Sequence, residues 1–180
     1  MVKNTLHPNT QALLQAWRRI TATPHDVDGG PSAHEHPGLL NRLFVIEASR
    51  KDILPFRIAG SDLAGILGRN LIGTNFLDLW MHADKSLVKA LIESIAQEDR
   101  PGIIRGIGQT SLGRRAEIEI AIAPLGHASA GPNRMLCLYQ TLGGENMLQD
   151  RAIWSHRIRS IYPPEPLIQP ASLRLVASND

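Results

Sequence analysis

Phe56-Arg57-Ile58-Ala59-Gly60-Ser61-Asp62-Leu63-Ala64-Gly65-Ile66-Leu67-Gly68-Arg69-Asn70-Leu71-Ile72-Gly73 changes its periodicity part-way along. Phe56 and Ile58 alternate with Arg57 and Ala59, the period of two that a strand requires. After Gly60, Ser61 or Asp62 offers an oxygen to cap a short apolar helix over 63–67, and Gly68 ends it where a left-handed residue commonly closes a helix. Gly60 and Gly68 are both expected at positive φ, where a Cβ is disfavoured. A second short segment, Thr74-Asn75-Phe76-Leu77-Asp78-Leu79-Trp80, follows Gly73. Short helices with glycine punctuation, set between strands, describe a fold that wraps a small cavity.

Upstream of this stretch, residues 43–48 and 53–59 are strand-like runs joined by Ser49-Arg50-Lys51-Asp52, a length and polarity that suit a hairpin. Downstream, His82-Ala83-Asp84 caps the longest helical pattern, residues 85–97, and Asp99-Arg100-Pro101-Gly102 stops it. Three more strands are expected over 103–110, 115–123 and 134–142. In the middle one Ile118, Ile120 and Ile122 alternate with Glu117, Glu119 and Ala121, which predicts one buried and one mostly wet face. Arg105 is placed across from Glu117 or Glu119 as a cross-strand ion pair. Gly106-Ile107-Gly108 within a strand reads as a bulge or a close backbone approach.

At the N-terminal side, Asn9 or Thr10 caps a helix whose Leu13, Leu14, Trp17 and Ile20 share one side. Its stripe can pack on its own sheet or pair with the same helix of a second chain. The strip is larger than a surface helix normally exposes, so a homodimer with Leu13, Leu14 and Trp17 at the interface is expected. The loop over 22–38 gathers His25, Asp26, Asp28, His34, Glu35 and His36. Imidazole and carboxylate ligands suit Zn²⁺ or Ni²⁺, but His-x-His in a Gly/Pro-punctuated loop lacks fixed ligand spacing, and no metal is expected. Beyond Gly143, residues 145–161 read as helical, with Met147, Leu148, Ile153 and Ile158 apolar. The prolines from Pro163 onward forbid continuation, and residues 173–177 could add a terminal strand.

At 180 residues and 19.8 kDa, one domain with tails is the default. No apolar run approaches the ~20 residues of a membrane span. The start lacks a secretory apolar region, and the single Cys137 sits among apolar neighbours as a buried strand thiol would. A cytoplasmic protein without a membrane partner is therefore expected. A net charge of +2 gives a weak field for nucleic acid, and 4% aromatic residues leave little for a stacking platform. Arg114-Arg115 and the cluster Arg151, His156, Arg157 and Arg159 nonetheless suit phosphates, which keeps nucleic-acid or cyclic-dinucleotide binding as a weaker reading. No phosphate loop, nucleophile elbow, HExxH or GxGxxG is present, so no enzyme is expected.

The pattern FRIAGSDLAGILGRNLIGTNFLDLW, residues 56–80, resembles the core signature of single-domain PAS proteins of alphaproteobacteria. The likeness spans roughly residues 10–142 and implies an α+β fold: a five-stranded antiparallel sheet, short helices on one face, an N-terminal amphipathic flanking helix, and the order β-β-α-α-α-β-β-β. It divides the chain into a tail over 1–9, a PAS-like domain over 10–142 and a C-terminal extension over 143–180, partly disordered or docked. Light-sensing relatives carry an Asn-Cys dipeptide for flavin adducts, which Cys137 does not reproduce; haem-binding relatives use a histidine near the long helix, where only His82 stands, at its start. No cofactor is expected, and haem or flavin is disfavoured. The resemblance implies a non-enzymatic sensory or regulatory module that signals by contact with another regulatory protein. The alternative is a small-molecule sensor whose cavity, lined by Phe56, Ile58, Leu67, Phe76, Trp80, Leu91, Ile104 and Leu136, holds an apolar or nucleotide ligand; plain core packing explains the same positions.

Overall fold

The structure, a computed structural model, describes residues 5–22, 36, 38–48, 53–125, 133–148 and 151–164. Its strands are β1 (Leu43–Ala48), β2 (Phe56–Ala59), β3 (Gly102–Thr110), β4 (Arg115–Leu125), β5 (Asn133–Gly143) and β6 (Ile153–Tyr162). Its α-helices are α1 (Pro8–Ala22), α2 (Ser61–Leu67) and α3 (His82–Glu98), with a 3-10 turn over Phe76–Leu79. The strands form one antiparallel sheet in the order β2-β1-β5-β4-β3-β6. The order β-β-α-α-α-β-β-β is as expected, and a sixth strand is added at the edge.

That sixth strand corrects the helical reading of 145–161. Among the described residues of that stretch only Glu145–Leu148 turns, as one 3-10 turn, and β6 runs against β3. Ile153 and His156 are buried while Trp154, Arg157 and Arg159 are exposed, so the true period is that of a strand with two bulges, at Trp154 and Arg159. Two glycines in β3 make the pairing possible. A Cβ on Gly106 would collide with the Arg157 carbonyl oxygen, and one on Gly108 would lie 2.8 Å from the Ile153 side chain. The register slips beside Gly106, leaving Arg159 as the extra residue of a bulge. The folded unit therefore extends past residue 142 through Tyr162.

One face of the sheet packs on α2, α3 and the 3-10 turn through Phe44, Ile104, Ile118, Ile120, Leu91 and Ile95, among others. The other face is wet only in part. Ile103, Ala121 and Leu138 lie with Ala12 and Leu13 of α1 in a second cluster. Glu119, expected at the surface, is fully buried there; Arg105 reaches it at 2.7 Å, and the His7 backbone N–H donates to its Oε1 at 3.0 Å. The cross-strand pair is thus present but lies beneath the chain entering α1, where losing either partner strands a buried charge. His7, rather than Asn9 or Thr10, caps the helix: its Nδ1 accepts from the Asn9 N–H, and Pro8 takes the first helical position, where a missing N–H costs nothing.

Gly68 has φ 62° and closes α2, as expected. Gly60 does not share that conformation: its φ is −64°, and it, not Ser61 or Asp62, is the N-cap, with no side-chain cap bond. What requires a glycine at 60 is space, because a Cβ would strike the Asn41 carbonyl and come within 2.8 Å of the Leu40 oxygen. Asp84 also does not cap α3; its carboxylate accepts from the Ile158 N–H of β6.

Both outer strands are hydrogen-bonded along their free sides. The Phe56 N–H of β2 donates to Thr74 and its carbonyl accepts from Gly73. On β6 the Trp154 carbonyl accepts from Arg69, the His156 carbonyl accepts from the Met81 N–H, and the Ile158 N–H is the one held by Asp84. Residues 1–4 of the expected tail over 1–9, His25, Asp26, Asp28, His34 and Glu35 of the loop cluster that also holds His36, the hairpin turn over 49–52 and the terminal strand over 173–177 lie outside the described residues.

A deletion and a substitution check this reading. Deleting residues 150–180 removes Ile153 and His156 from the core and opens the β3 edge, so the melting temperature is expected to fall; an unchanged melt by circular dichroism would remove β6 from the fold. Gly60→Ala is expected to destabilise by about 1 kcal/mol or more through overpacking alone, without a positive φ to blame.

Candidate functional site

Between the sheet and its short helices runs a continuous row of rings. Phe44 lies 5.3 Å from Phe56 and 5.6 Å from Phe76; Phe76 meets Trp80 edge-on at 6.0 Å; Trp80 lies 5.4 Å from His156, which meets Tyr139 edge-on at 5.7 Å. Such tilted and edge-on pairs add to area burial. Four rings come from four different strands, and Phe76 and Trp80 from the 3-10 turn and its C-cap, so the row ties β1, β2, β5 and β6 to the 3-10 turn.

Six of the eight residues expected to line a cavity meet here. Phe56, Leu67, Phe76, Trp80, Leu91 and Ile104 are all buried in this one cluster. Ile58 is not with them: it is 61% exposed, because its partner Val45 and the bulge beside it turn it away from the helical layer. Leu136 packs against the α1 cluster on the opposite face. The dimer candidates are likewise engaged within the chain. Leu13 is buried under its own sheet, Leu14 packs on the same cluster, and the Trp17 indole N–H donates to the Pro124 carbonyl at 2.9 Å. The outer face of this stripe is thus narrower than the strip that motivated a dimer.

His156 was grouped by sequence with surface arginines, yet it is fully buried. Its Nδ1 lies 3.1 Å from the Leu79 carbonyl and its Nε2 lies 2.9 Å from the Tyr139 hydroxyl. A carbonyl oxygen can only accept, so Nδ1 carries the proton and donates; Nε2 of the neutral ring then accepts from the Tyr139 O–H. Burial, opposed by the Leu79 hydrogen bond, pushes the His156 pKa down to about 4. Burial also raises the Tyr139 pKa and the Cys137 thiol pKa well above their ordinary values. One donor in this region is unsatisfied: the buried Trp80 Nε1–H has no hydrogen-bond partner.

A separate concavity lies on the α1 side of the sheet, past the point where the chain entering α1 is held by Glu119. It is a groove of about 330 Å³ lined by Ile107, Gln109, Arg115, Arg157, Ile158 and Arg159. None of the residues expected to form a cavity belongs to it. Its arginines come from β4 and β6 and are brought together by the pairing of each strand with β3: Arg115 lies opposite Gln109 and Arg157 opposite Ile107. The sequence showed these arginines as two runs forty residues apart, and only the unforeseen β6 joins them.

The sequence profile described as PAS domain matches residues 5–140. The chain belongs to the PAS domain family. No curated protein matches this PAS domain. Among solved structures it is similar to the Rhodobacter sphaeroides LOV protein, with 16% identity over 59% of this chain and 61% of that one at a TM-score of 0.46. It is also similar to a PAS domain from Colwellia psychrerythraea, with 10% identity over 61% and 94% of the two chains at a TM-score of 0.44. A third is a light-oxygen-voltage domain described with a flavin analogue, 13% identical over 71% and 93% at a TM-score of 0.48. The PAS domain thus spans less than two thirds of the Rhodobacter protein it matches. These neighbours lend no support to the expectation that flavin is disfavoured. Among the described residues no helix is long and apolar enough to cross a membrane.

The buried histidine makes a prediction with a definite sign. Because the folded-state pKa of His156 lies below the ordinary 6.5, unfolding takes up a proton, and stability is full above pH 6.5 and declines as pH falls toward 4. His7, also lowered chiefly by burial, acts in the same direction. Glu47, held down by the Arg57 hydrogen bond, and Glu145, held down by the Thr141 hydroxyl, act only at and below about their ordinary 4.5. Chemical denaturation across pH 4–7 is expected to show a slope of at most about 1.4 kcal/mol per pH unit from His156. That slope should diminish in His156→Phe; an equal slope in both proteins would contradict the assignment.

Proposed function

We propose that this sensory or regulatory PAS module works without catalytic turnover and passes its signal by contact with another regulatory protein. The observation that carries the reading is the row of rings from Phe56 to Tyr139, which occupies with the protein's own side chains the region that would otherwise hold a ligand. A module whose interior is so packed acts through its surface. A homodimer remains compatible with the exposed side of α1, where Ile20 is 54% exposed.

The alternative, a small molecule inside the domain, is favoured by the unpartnered Trp80 Nε1–H, a buried donor with no acceptor of its own. The absorbance spectrum and native mass of the purified protein separate the two. The contact reading expects no chromophore and the mass of the chain alone, with a defined partner co-purifying in affinity capture from the source cell. A bound chromophore or a reproducible mass excess would favour the interior ligand, and loss of that excess in Trp80→Phe would place it beside the indole.

A further inference from the structure

The groove on the α1 side of the sheet combines three features that the contact reading does not use. Arg115, Arg157 and Arg159 are all exposed, and among the described residues none of the three has a carboxylate partner. Beneath them Ile107 is half-buried and supplies an apolar wall, while the Ile158 side chain packs into the core on the opposite face; the Gln109 side chain offers both a donor and an acceptor. Glu117, opposite Ile107 on the same face, is the nearest acidic residue in the register and lines no part of the groove. The bulge at Arg159, permitted by the missing Cβ of Gly106, is the kind of strand irregularity that re-aims a side chain beside a site.

We propose that this groove binds a nucleotide, with the phosphate held by Arg115, Arg157 and Arg159 and the base laid against Ile107. Guanidinium groups present paired donors in a fixed fork that matches phosphate oxygens, and no existing ion pair has to be broken for them to turn inward. A bare anion would leave the apolar wall unused. A protein segment needs a contact of roughly 800 Å² per partner, whereas a groove of about 330 Å³ has the dimensions of a small-molecule site. Free nucleotides and the ends of a nucleic-acid strand present the same phosphate and base, and the length dependence of binding distinguishes them.

The test is calorimetric titration of the full chain at low ionic strength with adenosine and guanosine mono-, di- and triphosphates, the two nucleosides, inorganic phosphate, and single-stranded oligonucleotides of increasing length. Nucleotides are expected to bind more tightly with each added phosphate and more weakly as salt is raised. Nucleosides and inorganic phosphate alone are expected to bind at least tenfold more weakly. Arg157→Gln and Arg159→Gln should each lower affinity about tenfold, with the melting temperature unchanged because neither side chain holds the fold together. Binding that survives replacement of all three arginines by glutamine, inorganic phosphate binding as tightly as nucleotides, or no binding by any nucleotide would overturn the proposal. Affinity that grows with oligonucleotide length would also overturn it, by assigning the groove to a strand.

Discussion

The close approach of β6 to β3 is the constraint on which the rest of the structure depends. It exists because β3 carries glycine at 106 and 108, where side chains would occupy the space of the Arg157 backbone and the Ile153 side chain. Once β6 lies there, His156 is driven into the interior, between the Leu79 carbonyl and the Tyr139 hydroxyl. Its backbone simultaneously accepts from Met81 at the entry to α3. One strand thus locks the helical layer to the sheet through side chain and main chain together, and on its other face it delivers Arg157 and Arg159 to the groove.

The two faces of the sheet are organised by different physics. Against the short helices the contacts are apolar and aromatic, with a single neutral hydrogen-bonded histidine. Against α1 the apolar cluster is smaller and is organised about a fully buried carboxylate, Glu119, met by the Arg105 guanidinium and by the His7 N–H. Arg105 also donates to the Thr5 carbonyl and lies 5.9 Å from the Tyr162 ring, so the chain entering α1, the central strands and the end of β6 converge on one charge pair. A buried pair of this kind adds little net stability compared with apolar residues but penalises any arrangement that separates its members. It therefore specifies where α1 lies more than it strengthens the fold.

Much of this was legible in the sequence. The strand runs of β1 and β5, the alternation in β4, the helical periodicity of α3 and the glycine stop at Gly68 each follow from local pattern, and the PAS domain resemblance supplied the topology. What escaped was decided by tertiary contact. Gly60 is required by the proximity of Asn41, a residue nineteen positions away, which no φ preference reveals. Glu119 has the alternation of a wet face, and only the docking of α1 makes it interior. Residues 145–161 mix a turn with a bulged strand, so their apolar spacing imitates a helix; the β-branched Ile153, Ile158 and Ile161 were the available signal for a strand. Of the cavity candidates, Ile58 and Leu136 failed because a bulge in the first case and strand alternation in the second send a side chain to the other face.

The bonding along both outer strands has a consequence for how the molecule behaves in a crowded solution. An unprotected edge strand is a template on which an extended chain can be added, and repeated addition leads to fibres. Here Thr74 and Gly73 occupy the main-chain groups of Phe56 on one side, and Arg69, Met81 and Asp84 occupy those of Trp154, His156 and Ile158 on the other. At these positions the sheet offers an incoming strand no free backbone group, so growth by stacking sheet on sheet edge is discouraged, and recognition there has to proceed through side chains.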